Sequence, residues 1–441
     1  MVEKRKSTRR EFLSRTGKTA AAGIAAFQIV PPHFVFSAPN RPGPSESLVL
    51  GHIGVGGRGR RFVRNWSKHI CDVDQERLEL AAERAAAGDA ALRKQIKLYT
   101  DYRELLDQEE IDAVFIASPD HWHALHCIDA CKAGKDVYVE KPACKTIEEG
   151  RAMVATAERY ARVVQVGSQG RSQTGAYHAH KYIANGQIGR VREVRCWHYE
   201  TPTGDWHPNS EPPEHLDYDK WIGPARWIPY NEKRTHGAFR WMQFSGGGQI
   251  RDRGAHVMSV ALWIMNCDYT GPVTVKTTAD PHHKGIYDSP VHIKVVYEFK
   301  DPDWTLIWAQ PGEPHEAGFK WVRSSYGANY IGDKGNLIVT YGDTAETDTE
   351  QKAKDYTVPP GGVEVFHSPG HVENFFECIK TREKPIMHIE AAHRVATLCI
   401  LGNMSWNLRR ELRWDPVNER VIGDEEANRL LSRPGRGEWH L

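Results

Sequence analysis

The sequence predicts an α/β protein, with a doubly wound parallel sheet first and then an α+β domain on an open, mostly antiparallel sheet. Three observations carry that expectation. An apolar strand from Leu48 runs directly into a glycine-rich turn, Gly54-Val55-Gly56-Gly57-Arg58-Gly59. Strand-like and helix-like patterns then alternate as far as Gly170, as successive parallel strands with crossover helices require. Beyond that point period-two strands follow one another, framed by helical segments. At 441 residues the chain exceeds one comfortable core, so domains over 46–170 and 171–441 follow an N-terminal segment of residues 1–38.

The individual elements follow from local pattern. Asp101 to Leu106 opens a helix, and Ile111 to Ser118 is apolar enough for a strand buried on both faces. Ala124 to Ala133 reads as a helix and Asp136 to Glu140 as a strand. Thr146-Ile147-Glu148-Glu149 is a capping box in front of an amphipathic helix, and Val163 to Val166 is the next strand. In the second domain a helix (Ala176 to Asn185) and a strand (Val191 to Tyr199) precede a tryptophan- and proline-rich stretch from Thr201 to Phe244. A helix over His256 to Met265 comes next, followed by strands at Val273–Thr278, Val291–Phe299, Thr305–Gln310 and Leu337–Tyr341, with a turn at Ile331 to Gly335. Helices over His371 to Lys380 and Ile389 to Leu408 complete the packing.

Composition narrows the function. Lysine and arginine total 58 against 57 acidic residues, a net charge of +1, so no global field favours nucleic acid or an anionic membrane. A small ligand fits better. Eight scattered cysteines without a C-x-x-C pair read as reduced, buried thiols rather than a disulfide framework or a zinc ribbon. At the N-terminus, Ser7-Thr8-Arg9-Arg10-Glu11-Phe12-Leu13 before an alanine-rich stretch is similar to a twin-arginine export signal. That stretch is too short to span a bilayer. Cleavage near Ala38 is one outcome and an uncleaved tether another.

Four motifs carry chemistry. Gly54, Gly56 and Gly59, with Gly57 and Arg58 between them, satisfy G-x-G-x-x-G after a strand, the pattern of a Rossmann-type turn that admits a dinucleotide pyrophosphate. Asp72 lies 18 residues beyond Gly54, where an acid binds ribose hydroxyls, and so favours NAD. Arg58, Arg60 and Arg61 keep NADP open. Glu140-Lys141-Pro142 closes a strand at the carboxyl edge of the parallel sheet, where the lysine either exchanges a proton with a substrate hydroxyl or forms an ordinary ion pair. Asp252 and His256 are four apart, on one face of a helix, as an orienting carboxylate and a base, or else as a helix cap and a packed histidine. After Ser118-Pro119, the group His121-Trp122-His123 with His126 invites a zinc reading, but alternate loop residues do not converge without further ligands, so no metal is assigned. His123 or Trp122 instead borders the nicotinamide pocket. Trp197, Trp206, Trp221, Trp227 and Trp241 either stack on sugar faces or fill cores.

Taken in order, the glycine turn, Ser118-Pro119-Asp120-His121-Trp122-His123, Glu140-Lys141-Pro142 and Asp252-x-Gly-x-His256 resemble the glucose-fructose oxidoreductase, inositol dehydrogenase and MocA family over residues 46–441. Leu216 to Ala225 and Glu425 to Leu431 look like its signal-bearing bacterial branch. The resemblance implies Lys141 as the catalytic lysine and Asp252 and His256 as the substrate-side pair, with His256 the base, and Ser118, Pro119, His123, Glu140 and Lys141 itself beside the cofactor. It further implies an NAD(P)-dependent oxidoreductase acting on a secondary hydroxyl of a sugar, cyclitol or glycoside, and a homo-oligomer joined through the open sheet. Export adds that the cofactor is tightly held and recycled outside the cytoplasm. An NAD-dependent, redox-neutral glycosidase or lyase and a non-catalytic sugar or cofactor sensor are the alternatives. One departure stands out: the segment between Gly59 and Asp72 is several residues short, and only Ile70 and Cys71 supply apolar content before Asp72. Trimming or damage there would compromise the adenosine-ribose site.

Overall fold

The computed structural model describes residues 48–280, 285–311, 326–340 and 348–441; the expected export segment, its arginine pair and the cleavage region lie outside them. Val49 to Leu441 form one compact unit. Six short strands, β1 (Leu50–Ile53), β2 (His69–Cys71), β3 (Lys97–Tyr99), β4 (Ala113–Ile116), β5 (Asp136–Val139) and β6 (Val164–Val166), make the first sheet. They pair in parallel in the order β3-β2-β1-β4-β5-β6, so the order reverses between β1 and β4. Ligands of such sheets bind outside the carboxyl ends at that reversal. Both faces are covered, which is why all four residues of β4 and of β5 are buried.

The short segment after the glycine turn resolves in favour of trimming. In place of the usual first helix there is one 3₁₀ turn, Gly59–Arg61, and then a loop. The strand survives: β2 is fully buried and hydrogen-bonded to β1 and β3. Val63 fills part of the vacated space, packing with Ile70 and the buried alanine face of the helix Gln75–Ala86. Phe115 and Tyr138 of the sheet meet Phe62 on one side and Phe375 of the helix His371–Thr381 on the other. Residues far along the chain thus cover the sheet face that the missing helix exposes, and Asp72 keeps its place at a strand end.

Helix starts follow the expected capping chemistry. Thr146 accepts from the Glu149 amide at 3.2 Å while the Glu149 carboxylate accepts from the Thr146 amide at 3.1 Å, opening the helix Ile147–Arg159. Asp74 caps Gln75–Ala86 by accepting from Arg77 N at 3.2 Å.

The second sheet has eight strands: β7 (Val191–Trp197), β8 (Thr274–Ala279), β9 (Ile293–Lys300), β10 (Asp303–Gln310), β11 (Gly327–Gly332), β12 (Gly335–Thr340), β13 (Leu412–Asp415) and β14 (Arg420–Val421). Their order is β12-β11-β7-β10-β9-β8-β13-β14, with β7 and β10 parallel and the remaining pairs antiparallel. The expected turn at Ile331 to Gly335 is narrower than read: Ile331 and Gly332 end β11, and Asp333-Lys334 alone connects it to β12. On the inner face lies the helix Ile389–Leu408, tied to the sheet by Thr277 Oγ1 donating to Gly402 O at 2.8 Å and Tyr297 Oη to Leu398 O at 2.8 Å. The outer face of β9 carries Lys294, Glu298 and Lys300, all exposed.

The two sheets are joined by a buried arginine and by the C-terminal tail. Arg171 donates to Asp268 at 2.6 and 2.7 Å and to Ser259 O at 3.1 Å. The tail returns to the first domain, where Arg433 reaches Glu149 Oε1 and His121 O, each at 2.6 Å. All eight cysteines are free and buried, as expected.

Burial of histidines sets the acid limit of this fold. Against an ordinary value near 6.5, desolvation first, then neighbouring cations, pull His52 and His121 down to about 3 and His180 and His198 to about 4. A depressed folded pKa means that the unfolded chain binds more protons, so this stability is complete above pH ~6.5 and is lost as pH falls toward 4. Asp72, raised by burial to about 6, and Asp120 and Asp288, raised in the same way, work in the opposite sense, but His236, His371 and His388, each lowered to about 4, add to the histidine side. The urea midpoint is therefore expected to fall between pH 7 and pH 4.5. A midpoint that stays level or rises would contradict the neutral state of these histidines.

Candidate functional site

The glycine turn, the end of β2, the loop after β4 and the tryptophan-rich segment enclose one cavity of about 750 Å³. That volume lies within the ~300–1,000 Å³ of small-molecule and cofactor sites. Gly54, Gly56, Gly57, Arg58, Asp72, Ser118 and Pro119 line it, whereas Gly59 and Glu140 do not. The turn needs its glycines for separate reasons. Gly54 has φ +79° and a Cβ there would lie 2.6 Å from Ser118 N, whereas a Cβ on Gly59 would lie 1.9 Å from Gly54 O. Gly57 faces open space.

Asp72 sits at the carboxyl end of β2, accepting from Val55 N at 2.7 Å and Asp74 N at 3.0 Å. Its carboxylate has about four acceptor sites, so two remain for ribose hydroxyls. Arg58 spans the sheet edge, with Nε 2.7 Å from Glu140 Oε1, and Gln169 Nε2 donates to the same oxygen at 3.1 Å. The cavity thus fits a dinucleotide: glycine amides and arginines at the turn for the diphosphate, and Asp72 for the adenosine ribose.

Two residues that the sequence reading did not single out also face this space. Arg77 places Nη1 against Gly56, at 2.2 Å from where a Cβ would be. Arg240, on the tryptophan-rich segment, lines the cavity and donates from Nε to Asp252 Oδ1 at 3.1 Å. Neither lies in a recognisable motif; the only sequence signal for Arg77 is its place one turn after the strand-end acids. The same segment is clamped to the first domain through Gln75 N to His215 O at 2.9 Å and Asp217 N to Val73 O at 3.0 Å.

Lys141, Asp252 and His256 converge where β5 ends against the helices Gln249–Asp252 and Gly254–Ile264. They do not line the large cavity; Arg240 connects it to them. Lys141 Nζ donates to Asp252 O at 2.9 Å and to Asp252 Oδ1. Asp252 also faces Arg253 Nε at 3.3 Å, so three cations share one nearly buried carboxylate. Burial alone would raise its pKa, but Lys141, then Arg240 and Arg253, hold it well below the usual carboxylate range. His256 is pushed well below 6.5, first by burial and next by the Lys141 charge, and is neutral at physiological pH. A neutral imidazole is the form of histidine that can accept a proton.

The side chains of the histidine loop are engaged in hydrogen bonds. His121 donates from Nε2 to Trp221 O at 3.0 Å, His126 Nδ1 pairs with Ser118 Oγ at 3.0 Å, and the His123 ring bridges Pro142 O at 2.7 Å and Ser118 O at 2.8 Å. His123 therefore ties the loop after β4 to the residue following Lys141 and does not line the cavity. Trp122, stacked on His126 at 4.6 Å, does line it. Trp197 and Trp221 are buried, whereas Trp206 and Trp227 are exposed.

Comparison with known proteins agrees with this fold. Residues 49–168 match the model for an oxidoreductase family, NAD-binding Rossmann fold, and residues 195–441 the C-terminal alpha/beta domain of the same family. Among curated proteins, a glycosyl hydrolase family 109 protein of Shewanella baltica and an alpha-N-acetylgalactosaminidase of Shewanella oneidensis are each 32% identical over 173 residues. Each match spans 34% of this chain and 37% of the relative. Among solved structures, myo-inositol dehydrogenase from Lactobacillus casei, in complex with NAD(H) and myo-inositol, shares the fold at TM-score 0.54 and 16% identity, covering 86% of this chain and 98% of its own. The WlbA dehydrogenase from Bordetella pertussis, in complex with NADH and UDP-GlcNAcA, shares it at TM-score 0.58 and 15% identity, covering 84% and 98%. No helix among the described residues is long and apolar enough to cross a membrane.

Proposed function

Because this chain belongs to the glucose-fructose oxidoreductase, inositol dehydrogenase and MocA family of oxidoreductases, with its NAD-binding Rossmann domain, we propose that it oxidises a secondary hydroxyl of a sugar, cyclitol or glycoside. The observation that carries this reading is the meeting of Lys141, Asp252 and His256 beside the carboxyl edge of the parallel sheet. NAD, when bound, supplies the hydride acceptor. His256 takes the hydroxyl proton, its neutral form being the one that burial and the Lys141 charge favour. The Lys141 ammonium, steered by the Asp252 carboxylate and carbonyl, donates a hydrogen bond to the reacting oxygen. Arg240 holds Asp252 from the cavity side.

A redox-neutral glycosidase is the second reading, favoured by the 32% identity to proteins named for glycoside hydrolysis. Both readings share the first oxidation, and they separate on aryl glycosides: a glycosidase releases the aglycone without net nucleotide reduction, whereas a dehydrogenase accumulates reduced nucleotide.

Export by the twin-arginine route, with the cofactor loaded before transit and retained afterwards, completes the proposal; Arg9-Arg10 supports it. Protein isolated from the extracytoplasmic fraction without added nucleotide is expected to release close to one equivalent of NAD on denaturation, by mass spectrometry. Protein confined to the cytoplasm would refute export, and an extracytoplasmic protein that is empty and fails to rebind NAD would refute cofactor retention.

A further inference from the structure

The trimmed first helix removes something that dinucleotide-binding turns ordinarily use. A helix N-terminus presents unpaired amides and a partial positive charge of roughly half a unit to a bound phosphate. Here the turn leads into three residues of 3₁₀ helix, too short to build that dipole. In the same place the chain supplies guanidinium groups. Arg58 is committed to Glu140 at 2.7 Å. Arg77 is different: its Nε faces Asp74 at 3.4 Å, its side chain remains about a third exposed, and its Nη1 lies over Gly56. Gly56 is the middle glycine of the pattern, the one whose missing side chain lets the diphosphate approach the backbone. That space is thus bordered by a cation instead of a helix end, and both residues line the cavity.

We propose that Arg77, reaching back over Gly56 from the helix after β2, binds the diphosphate of the dinucleotide and takes the part of the missing helix N-terminus. The inference rests on the NAD-dependent reading above. A guanidinium binds phosphate oxygens through two parallel donors and carries a full charge where a helix end carries a fraction. Affinity for the diphosphate then depends on salt through an exposed cation.

Titration calorimetry with NAD, ADP-ribose, NADP and adenosine, at low and high sodium chloride, tests this without turnover. Arg77→Gln is expected to weaken NAD and ADP-ribose alike by about tenfold or more, to flatten their salt dependence and to leave adenosine unchanged, with Arg77→Lys recovering part of the loss. Unchanged ADP-ribose affinity in Arg77→Gln overturns the proposal, as does a loss confined to NADP, which would place Arg77 at the ribose 2′-phosphate. Thermal unfolding of the ligand-free variants separates lost binding from lost fold: if Arg77→Gln is unfolded, the folded Arg77→Lys decides, and Lys binding equal to wild type at all salt concentrations counts against a bidentate guanidinium contact. Wild-type protein that binds neither NAD nor ADP-ribose would defeat the proposed function itself, whereas wild type that binds both with no change in Arg77→Gln defeats this inference alone.

Discussion

Lys141→Ala is expected to lower turnover by ~10²–10⁴ while the protein stays folded and keeps its nucleotide, the range a positioned proton-transfer group contributes. Removal of the lysine leaves the surrounding charge satisfied. Asp252 would retain Arg240 at 3.1 Å and Arg253 at 3.3 Å, so no orphan carboxylate is created. The nucleotide cavity is not lined by Lys141 and should be unchanged. The pH profile gives the sharper readout: with the ammonium gone, His256 loses its strongest cationic neighbour, and its apparent pKa in the rate profile should move upward. Activity within threefold of wild type, with an unmoved profile, would remove Lys141 from the chemistry.

Gly59→Ala is expected to abolish nucleotide binding, whereas Gly57→Ala, two positions earlier, is expected to be nearly silent. The contrast follows from space. A methyl at Gly59 would lie 1.9 Å from Gly54 O and 2.9 Å from Gly54 C, both backbone atoms that cannot rotate away. Relief requires the two ends of the turn to separate, at a cost of about 1–3 kcal/mol or more for an overpacked site. The amides that would face the diphosphate move with them. At Gly57 no atom lies within 4 Å of the added methyl. Nucleotide content after purification and thermal midpoints of both variants check the pair. Equal behaviour of the two would mean that the turn is not held as described.

Much of this architecture was legible in the sequence because its signals are local. The capping box at Thr146 and Glu149 predicts its helix directly, and the helix Ile389–Leu408 is found with its expected limits. The continuous apolar run around Ala113–Ile116 suits a strand covered on both sides, which is what it forms. The strand β2 is faint in the sequence because only Ile70 and Cys71 supply apolar content before Asp72; its identity comes from pairing on both edges, which is a long-range fact. Likewise β11 was hidden by Gly327 and Gly332 at its ends. At the site, the residues inside motifs could be named in advance. Arg77 and Arg240 could not, because each reaches the cavity only once a distant part of the chain folds over it: Arg77 over Gly56, and Arg240 with the tryptophan-rich segment. His123 shows the converse: its motif marks the site, yet both ring nitrogens are engaged with carbonyls.

The central claim is that a bound nucleotide accepts hydride from a substrate carbon while His256 takes the hydroxyl proton. Its most direct test is a single-turnover absorbance trace at 340 nm, mixing NAD-loaded protein with a panel of sugars, cyclitols and aryl glycosides. Wild type is expected to give a rise at 340 nm with at least one of them, persistent for a dehydrogenase and transient for a redox-neutral glycosidase, and much slower in His256→Ala. No rise with any compound, while mass spectrometry still finds NAD bound, or an equal rise in His256→Ala, would contradict the account.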